Sequence, residues 1–163
     1  MNLWDKAWKS YVPFSRRVYG CICVAPNNKV LLVQGRHGSK KWSFPKGHRE
    51  IDDITPLQCA LRELKEETGL TLREDFIGTK RFRAGEYFLF LLPAEFTAIP
   101  QDRNEIACAK WFTVEEMMNI NKNVDVSLFT QFVQNSLPKD YQNPSSPQYQ
   151  STSERVDVEP MPA

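Results

Sequence analysis

Paired cysteines, histidine, long apolar runs and a charge excess are all scarce or missing in this chain of 163 residues. The cysteines, Cys21, Cys23, Cys59 and Cys108, form no C-x-x-C pair, and only His37 and His48 are at hand to join them as ligands. A zinc site is therefore not expected. The four read as reduced, mostly buried thiols, because free cysteine is among the most buried residue types. No apolar stretch approaches the roughly 20 residues of a membrane span. The N-terminus, Met-Asn-Leu-Trp-Asp, lacks the apolar stretch of a secretory signal. A cytoplasmic location, with the nucleus as a further one, and no membrane contact are the expectations. The net charge is only +1, so any attraction for nucleic acid or polyphosphate has to come from a local patch. No internal repeat and no Ser or Cys nucleophile constellation is visible.

What is present suits one soluble domain with a proper core, since 41% of residues are hydrophobic and 25% charged. Residues 1–16 read as an N-terminal arm, with Trp4, Trp8 and Tyr11 at amphipathic helical spacing. The domain proper spans 17–137. Residues 17–25 and 29–34 read as strands joined in a hairpin by Pro26-Asn27-Asn28. A basic loop follows at 35–41, and a short strand at 41–44 is stopped by Pro45. Residues 76–83 and 86–92 read as strands turning at Gly85, and 106–112 as another. Thr113 to Glu116 is a capping box opening a short helix. A final helix over 126–137 is expected to turn Leu128, Phe129, Phe132 and Val133 inward. Residues 138–163, rich in Pro, Ser, Gln and Asn, read as a disordered tail, open to a protein partner.

The clearest element is 55–70. Thr55 can cap a helix, Pro56 suits its first position, and Gln58 completes a T-x-x-Q capping box. Leu57, Leu61, Leu64 and Thr68 share one face, and Gly69 fits the stop. Away from the leucines lie Arg62, Glu63, Glu66 and Glu67. The glutamates stand at i, i+3 and i+4, where like charges repel, and no lysine at i+4 serves each of them. Something must compensate. One reading is a solvated acidic face. The other is a hard divalent cation, Mg²⁺ or Mn²⁺, which favours carboxylate oxygens and keeps waters and substrate phosphates in its shell.

Ahead of this helix, Phe44-Pro45-Lys46-Gly47-His48 reads as a tight turn. Residues 47–70 run G-H-R-E-I-D-D-I-T-P-L-Q-C-A-L-R-E-L-K-E-E-T-G-L, which resembles the Nudix box G-x5-E-x7-R-E-U-x-E-E-x-G-U, U being bulky and apolar. Residues 62–70 match at every position. The front half departs: counted back from Arg62, the glycine falls at His48 and the first glutamate at Ile54, whereas the chain has Gly47 and Asp53. The loop carries one extra residue, and Asp53 replaces a glutamate that braces the loop through the box arginine. The resemblance implies the α+β Nudix fold, an α/β/α sandwich with a mixed sheet flanked by helices. It implies Glu63, Glu66 and Glu67 as ligands of Mg²⁺ or Mn²⁺, joined by the Gly47 carbonyl. Arg62 and Asp53 become structural, and Glu66 and Glu67 catalytic in the attack of water on a phosphoanhydride bond.

Two flanking stretches narrow the substrate. Trp42-Ser43-Phe44-Pro45-Lys46-Gly47 resembles the W-x-F-P-K-G lead-in of messenger RNA decapping enzymes and, more loosely, of diadenosine tetraphosphate hydrolases. Glu105-Ile106 with Trp111-Phe112 resembles the E-I-x-x-x-x-W-F stretch of the decapping catalytic domain. In that family the glutamate matching Glu105 is a general base or a further metal ligand; by itself it would read as solvated. Lys46 is placed to hold a phosphate. Arg36, His37, Lys40, Lys41 and Arg49 make the region basic, and Lys80, Arg81 and Arg83 would extend it if their strand lies near. Trp42, Phe44, Tyr87 and Trp111 either stack a base or belong to the core. Decapping enzymes carry a helical regulatory domain ahead of the catalytic one, so the chain is expected to be a catalytic domain without it. The leading expectation is hydrolysis of the RNA 5′ cap. The alternatives are hydrolysis of diadenosine or diphosphoinositol polyphosphates, and a non-catalytic domain that binds a nucleotide or RNA. The last would have lost box carboxylates, and all three are present.

Overall fold

The structure is a computed structural model that describes residues 14 and 17–136. The expected N-terminal arm, apart from Phe14, and the expected tail over 138–163 lie outside the described residues. The chain divides into two units, Met1–Thr130 and Gln131–Ala163, and the features below belong to the first, apart from the last residues of the final helix.

Strand β1 (Val18–Ala25) leads through a 3-10 turn, Pro26–Asn28, into β2 (Lys29–Gly35). Asn27 and Asn28 take φ of 64° and 56°, the left-handed region that asparagine tolerates better than most side chains. The hairpin is shorter than its sequence suggests. The two strands pair only at Val24↔Val30 and Ala25↔Lys29 and then part. The gap on β1 is filled by β4 (Lys46–His48), antiparallel at Val18↔His48, Tyr19↔Gly47 and Gly20↔Lys46. β2 turns to β3 (Trp42–Ser43) and to β7 (Ile106–Phe112). The other edge of β1 runs parallel to β6 (Glu86–Leu91), which pairs with β5 (Gly78–Arg81) at the sheet margin. The sheet is therefore mixed. Within the Pro/Gly segment at 44–48, in place of the expected tight turn, Lys46–His48 form a strand, and Gly20 makes its approach possible. A Cβ there would lie 2.3 Å from the Pro45 carbonyl oxygen and 2.7 Å from Lys46 Cβ.

Helix α1 (Pro56–Thr68) covers one face. Leu57, Ala60 and Leu64 pack with Tyr19, Cys21, Cys23, Leu31, Phe88 and Phe90. Thr55 Oγ1 accepts from the Gln58 amide at 3.1 Å, but the Gln58 side chain accepts from the Ile54 amide, one residue ahead of the expected capping-box partner. Gly69 ends the helix at φ 75°, its amide donating to the Lys65 carbonyl. After β7 come α2 (Val114–Met118), opened by the expected capping box at Thr113 and Glu116, and α3 (Val124–Ser136). On the face away from α1, Phe129 meets Phe44 at 5.4 Å and Phe44 meets Tyr87 at 5.0 Å. Helices thus flank the sheet. The inward set of α3 differs from expectation. Asp125, Val126, Phe129 and Thr130 are buried, while Leu128 is 36% and Phe132 47% exposed.

Asp125, fully buried, accepts from the Ala84 amide at 2.9 Å, the Gly85 amide at 3.1 Å and the Tyr87 hydroxyl at 2.5 Å. It fastens the β5–β6 turn to α3. Replacing it strands the buried Gly85 amide and Tyr87 hydroxyl, each with a desolvation cost of about 1–3 kcal/mol, and the part-buried Ala84 amide. Asp125→Ala is expected to lower unfolding free energy by about 3 kcal/mol or more, read by urea denaturation, and Tyr87→Phe by about 1 kcal/mol.

Candidate active site

The C-terminal half of α1 meets β4 in a cleft of about 480 Å³. Glu63, Glu66 and Glu67 enter from the helix, Lys46, Gly47 and His48 from the strand, and Asp102 and Glu105 from the loop before β7. The glycine at 47 leaves room for a carboxylate. A Cβ there would lie 2.1 Å from Glu63 Cδ and Oε1, so the carboxylate occupies the space that a side chain would take. Beside it the Lys46 amide donates to Glu67 Oε2 at 3.2 Å. Strand and helix are thus held together through the carboxylates themselves.

Arg62 supplies the compensation that the spacing of the glutamates demanded. Its Nε and Nη2 donate to Asp53 Oδ1 and Oδ2 at 3.0 and 2.8 Å, the two-pronged geometry that makes such pairs strong. Nη2 also reaches the His48 carbonyl at 3.0 Å. Nη1 reaches Glu63 Oε1 at 2.9 Å and both Glu66 oxygens at 3.2 Å. Asp53 in turn accepts from the Glu50 amide at 2.8 Å, so this buried aspartate braces the loop. Burial works to raise its pKa, but the bonds from Arg62 and Glu50 outweigh burial and hold it below the ordinary value.

Glu63 and Glu67 are pushed upward. Burial raises Glu63 against the opposing pull of Arg62. Burial raises Glu67 to about 8, with Glu63 and Glu105 adding repulsion and the Lys46 amide opposing. Two largely buried carboxylates with so little compensation are a donor set for a hard cation. Among the described residues no three such groups already converge into a cage. Nη1 of Arg62 lies between Glu63 and Glu66 instead. Nε and Nη2 hold the brace, so Glu63 and Glu66 can be released without undoing it. The carboxylate oxygens suit a hard divalent cation, and Glu63, Glu66 and Glu67 are the residues that would hold it.

Of the residues singled out in the sequence, Lys46, Gly47, Glu63, Glu66, Glu67 and Glu105 line the cleft, and Arg62 and Asp53 support it. Others lie elsewhere. Trp42 packs edge-on against Phe112 at 4.7 Å, and Trp111 Nε1 donates to the Phe96 carbonyl at 2.8 Å. Phe44 and Tyr87 are fully buried and cannot stack a base. Lys41 is exposed outside the lining, and Arg36 Nε is spent on the Arg103 carbonyl at 2.7 Å. β5, with Lys80 and Arg81, is separated from β1 and β4 by β6. Asp102 escaped the sequence reading, because it stands outside both motifs and its place depends on the loop's path.

The NUDIX domain family model matches residues 14–131. The chain is 34% identical over 119 residues to a putative hydrolase, 111R, of Invertebrate iridescent virus 3, covering 69% of this chain and 67% of the viral protein. It is 35% identical over 118 residues to the m7GpppN-mRNA hydrolase of Saccharomyces cerevisiae, covering 68% of this chain and 12% of the yeast protein. The chain therefore spans only a small part of the yeast enzyme's length. The fold is similar to that of a C. elegans Ap4A hydrolase, with a TM-score of 0.56 and 22% identity, covering 73% of this chain and 99% of that one.

Two outcomes are expected. In Gly47→Ala the new methyl meets only the flexible end of Glu63, so stability changes by less than about 1 kcal/mol. The carboxylate must move, however, and Mn²⁺ affinity by titration calorimetry is expected to fall at least about tenfold. The second outcome concerns protons. Because the folded pKa of Glu67, about 8, exceeds the ordinary 4.5, its contribution to the stability of the metal-free protein is full below 4.5 and is lost as pH rises through 8. Cation binding must expel that proton, so Mn²⁺ affinity climbs with pH up to about 8 and then levels. Glu67→Gln should flatten both profiles.

Proposed function

The chain belongs to the NUDIX domain family as a hydrolase of phosphoanhydride bonds, and from that premise we propose that its substrate is the 5′ cap of RNA. The observation that carries this reading is the meeting of two flanking motifs at one cleft. Lys46 from the W-x-F-P-K-G stretch and Glu105 from the E-I stretch, far apart in sequence, both line the carboxylate site. Similarity to the yeast m7GpppN-mRNA hydrolase points the same way.

In this reading Glu63, Glu66, Glu67 and the Gly47 carbonyl would hold Mg²⁺ or Mn²⁺, which would supply charge neutralisation on the phosphates and a more acidic water. The chain's own groups do the rest. Lys46 takes a phosphate oxygen with its ammonium group, and His48 and Arg49 extend the same wall. Water attacks one phosphorus of the anhydride, the bond to the bridging oxygen breaks, and the leaving phosphate keeps the electron pair. The proton passes to the Glu105 carboxylate across the cleft from Glu67. Arg62 and Asp53 keep the loop and helix in register, since phosphoryl transfer depends chiefly on positioning and electrostatics.

The test is product analysis with cap-labelled RNA and Mn²⁺, comparing the wild type with Glu67→Gln. Release of methylated guanosine diphosphate by the wild type alone is expected, with a loss of at least about 100-fold in the variant. Affinity for capped RNA should fall steeply with salt. No release would shift the substrate to diadenosine or diphosphoinositol polyphosphates, assayed next with the same pair. Full activity in both Glu66→Gln and Glu67→Gln would refute the assigned site.

A further inference from the structure

We propose that Asp102 is a positioning residue that sets the reach of Glu105 into the cleft, and that the end of α1 provides its anchor. This rests on the catalytic reading of Glu105 given above. A helix leaves its last carbonyls without partners. Here the left-handed turn at Gly69 ends α1, and the Leu70 amide goes to Thr68 Oγ1 at 3.2 Å rather than back to Glu66. The Glu66 carbonyl is left over and accepts two amides from the passing loop, those of Gln101 and Asp102, each at 2.9 Å. The Thr68 carbonyl accepts a third, from Ile99 at 2.8 Å. The loop is therefore pinned to the very residue whose side chain enters the cleft.

From that pinned point Asp102 builds the next turn with its side chain. Its Oδ1 accepts from the Asn104 amide at 3.2 Å and the Glu105 amide at 3.3 Å, while its backbone carbonyl accepts from Ile106 at 3.0 Å. On the other side the Glu105 carbonyl accepts from the Arg36 amide at 2.7 Å, and the Arg36 guanidinium binds the Arg103 carbonyl. The backbone of Glu105 is thus held at both its N–H and its C=O. What Asp102 contributes is an acceptor oxygen at a fixed place, not a charge. A displacement of about 1 Å at a catalytic group can cost on the order of 100-fold in rate, so loss of this acceptor should act on turnover and leave substrate binding alone.

The experiment compares Asp102→Asn and Asp102→Ala, each with and without Glu105→Gln, on capped RNA and on diadenosine tetraphosphate with Mn²⁺. Amide hydrogen exchange at Asn104 and Glu105 is followed by nuclear magnetic resonance in the metal-free proteins. Asn keeps the acceptor and should retain kcat within about threefold. Ala should lower kcat about 10- to 100-fold with KM unchanged, and speed exchange at both amides by at least about tenfold. In the Glu105→Gln background Asp102→Ala should bring no further loss. The proposal is overturned by unchanged exchange in Asp102→Ala, by equal defects in the Asn and Ala variants, or by full additivity with Glu105→Gln. Full activity of Glu105→Gln alone would remove the catalytic reading of Glu105 and this proposal with it. The exchange result would still report separately whether Asp102 holds the loop.

Discussion

Strand β4 lies against β1 at a distance that no side chain at residue 20 would allow, and a side chain at residue 47 would displace a carboxylate of α1. At Gly20 the obstacle would be the Pro45 carbonyl and Lys46, and at Gly47 the carboxyl group of Glu63. These two contacts determine where the helix sits relative to the sheet, and hence where the glutamates emerge. Relaxing the first would move β4 off β1. Relaxing the second would leave β4 in place and displace a carboxylate. Strand β4 thus meets the core at a glycine of β1 and the carboxylates at its own glycine.

The electrostatics follow from that placement. Drawing Glu63 and Glu67 into a site of low solvent access costs energy that their negative charges cannot recover from each other. Arg62 offsets part of it through a single guanidinium shared among Asp53, Glu63 and Glu66. The remainder shows as the raised pKa of Glu67. An active site that depends on a cation is expected to be under this kind of tension without one, because the groups that bind the ion are the groups that repel each other.

Much of the fold was legible because its signals are local. Thr55, Pro56 and Gly69 mark the ends of α1, Thr113 and Glu116 mark the start of α2, and residues 106–112 have the length and apolar character of a strand. The carboxylates were legible because a helix places i, i+3 and i+4 together whatever the rest of the chain does. What escaped depends on partners distant in sequence. A Pro/Gly stretch reads as a turn until β1 is seen to offer it an edge. Leu128 and Phe132 look inward until Asp125 is found to be the residue that enters the core. Trp42, Phe44, Tyr87 and Trp111 look like stacking platforms until their packing partners are known. Asp102 carries no local signal at all, since its role comes from a loop laid along the far end of a helix.

That loop has a consequence for how such a site can diversify. Between β6 and the anchor at Ile99 the chain runs through residues 93–98, with Glu95 and Phe96 exposed. Because the anchor belongs to the helix and not to this stretch, insertions or deletions at 93–98 would be absorbed before reaching Glu105. That largely exposed stretch can change in length and chemistry while Glu105 keeps its setting. The length of residues 93–98 and the placement of Glu105 are in this sense separately evolvable.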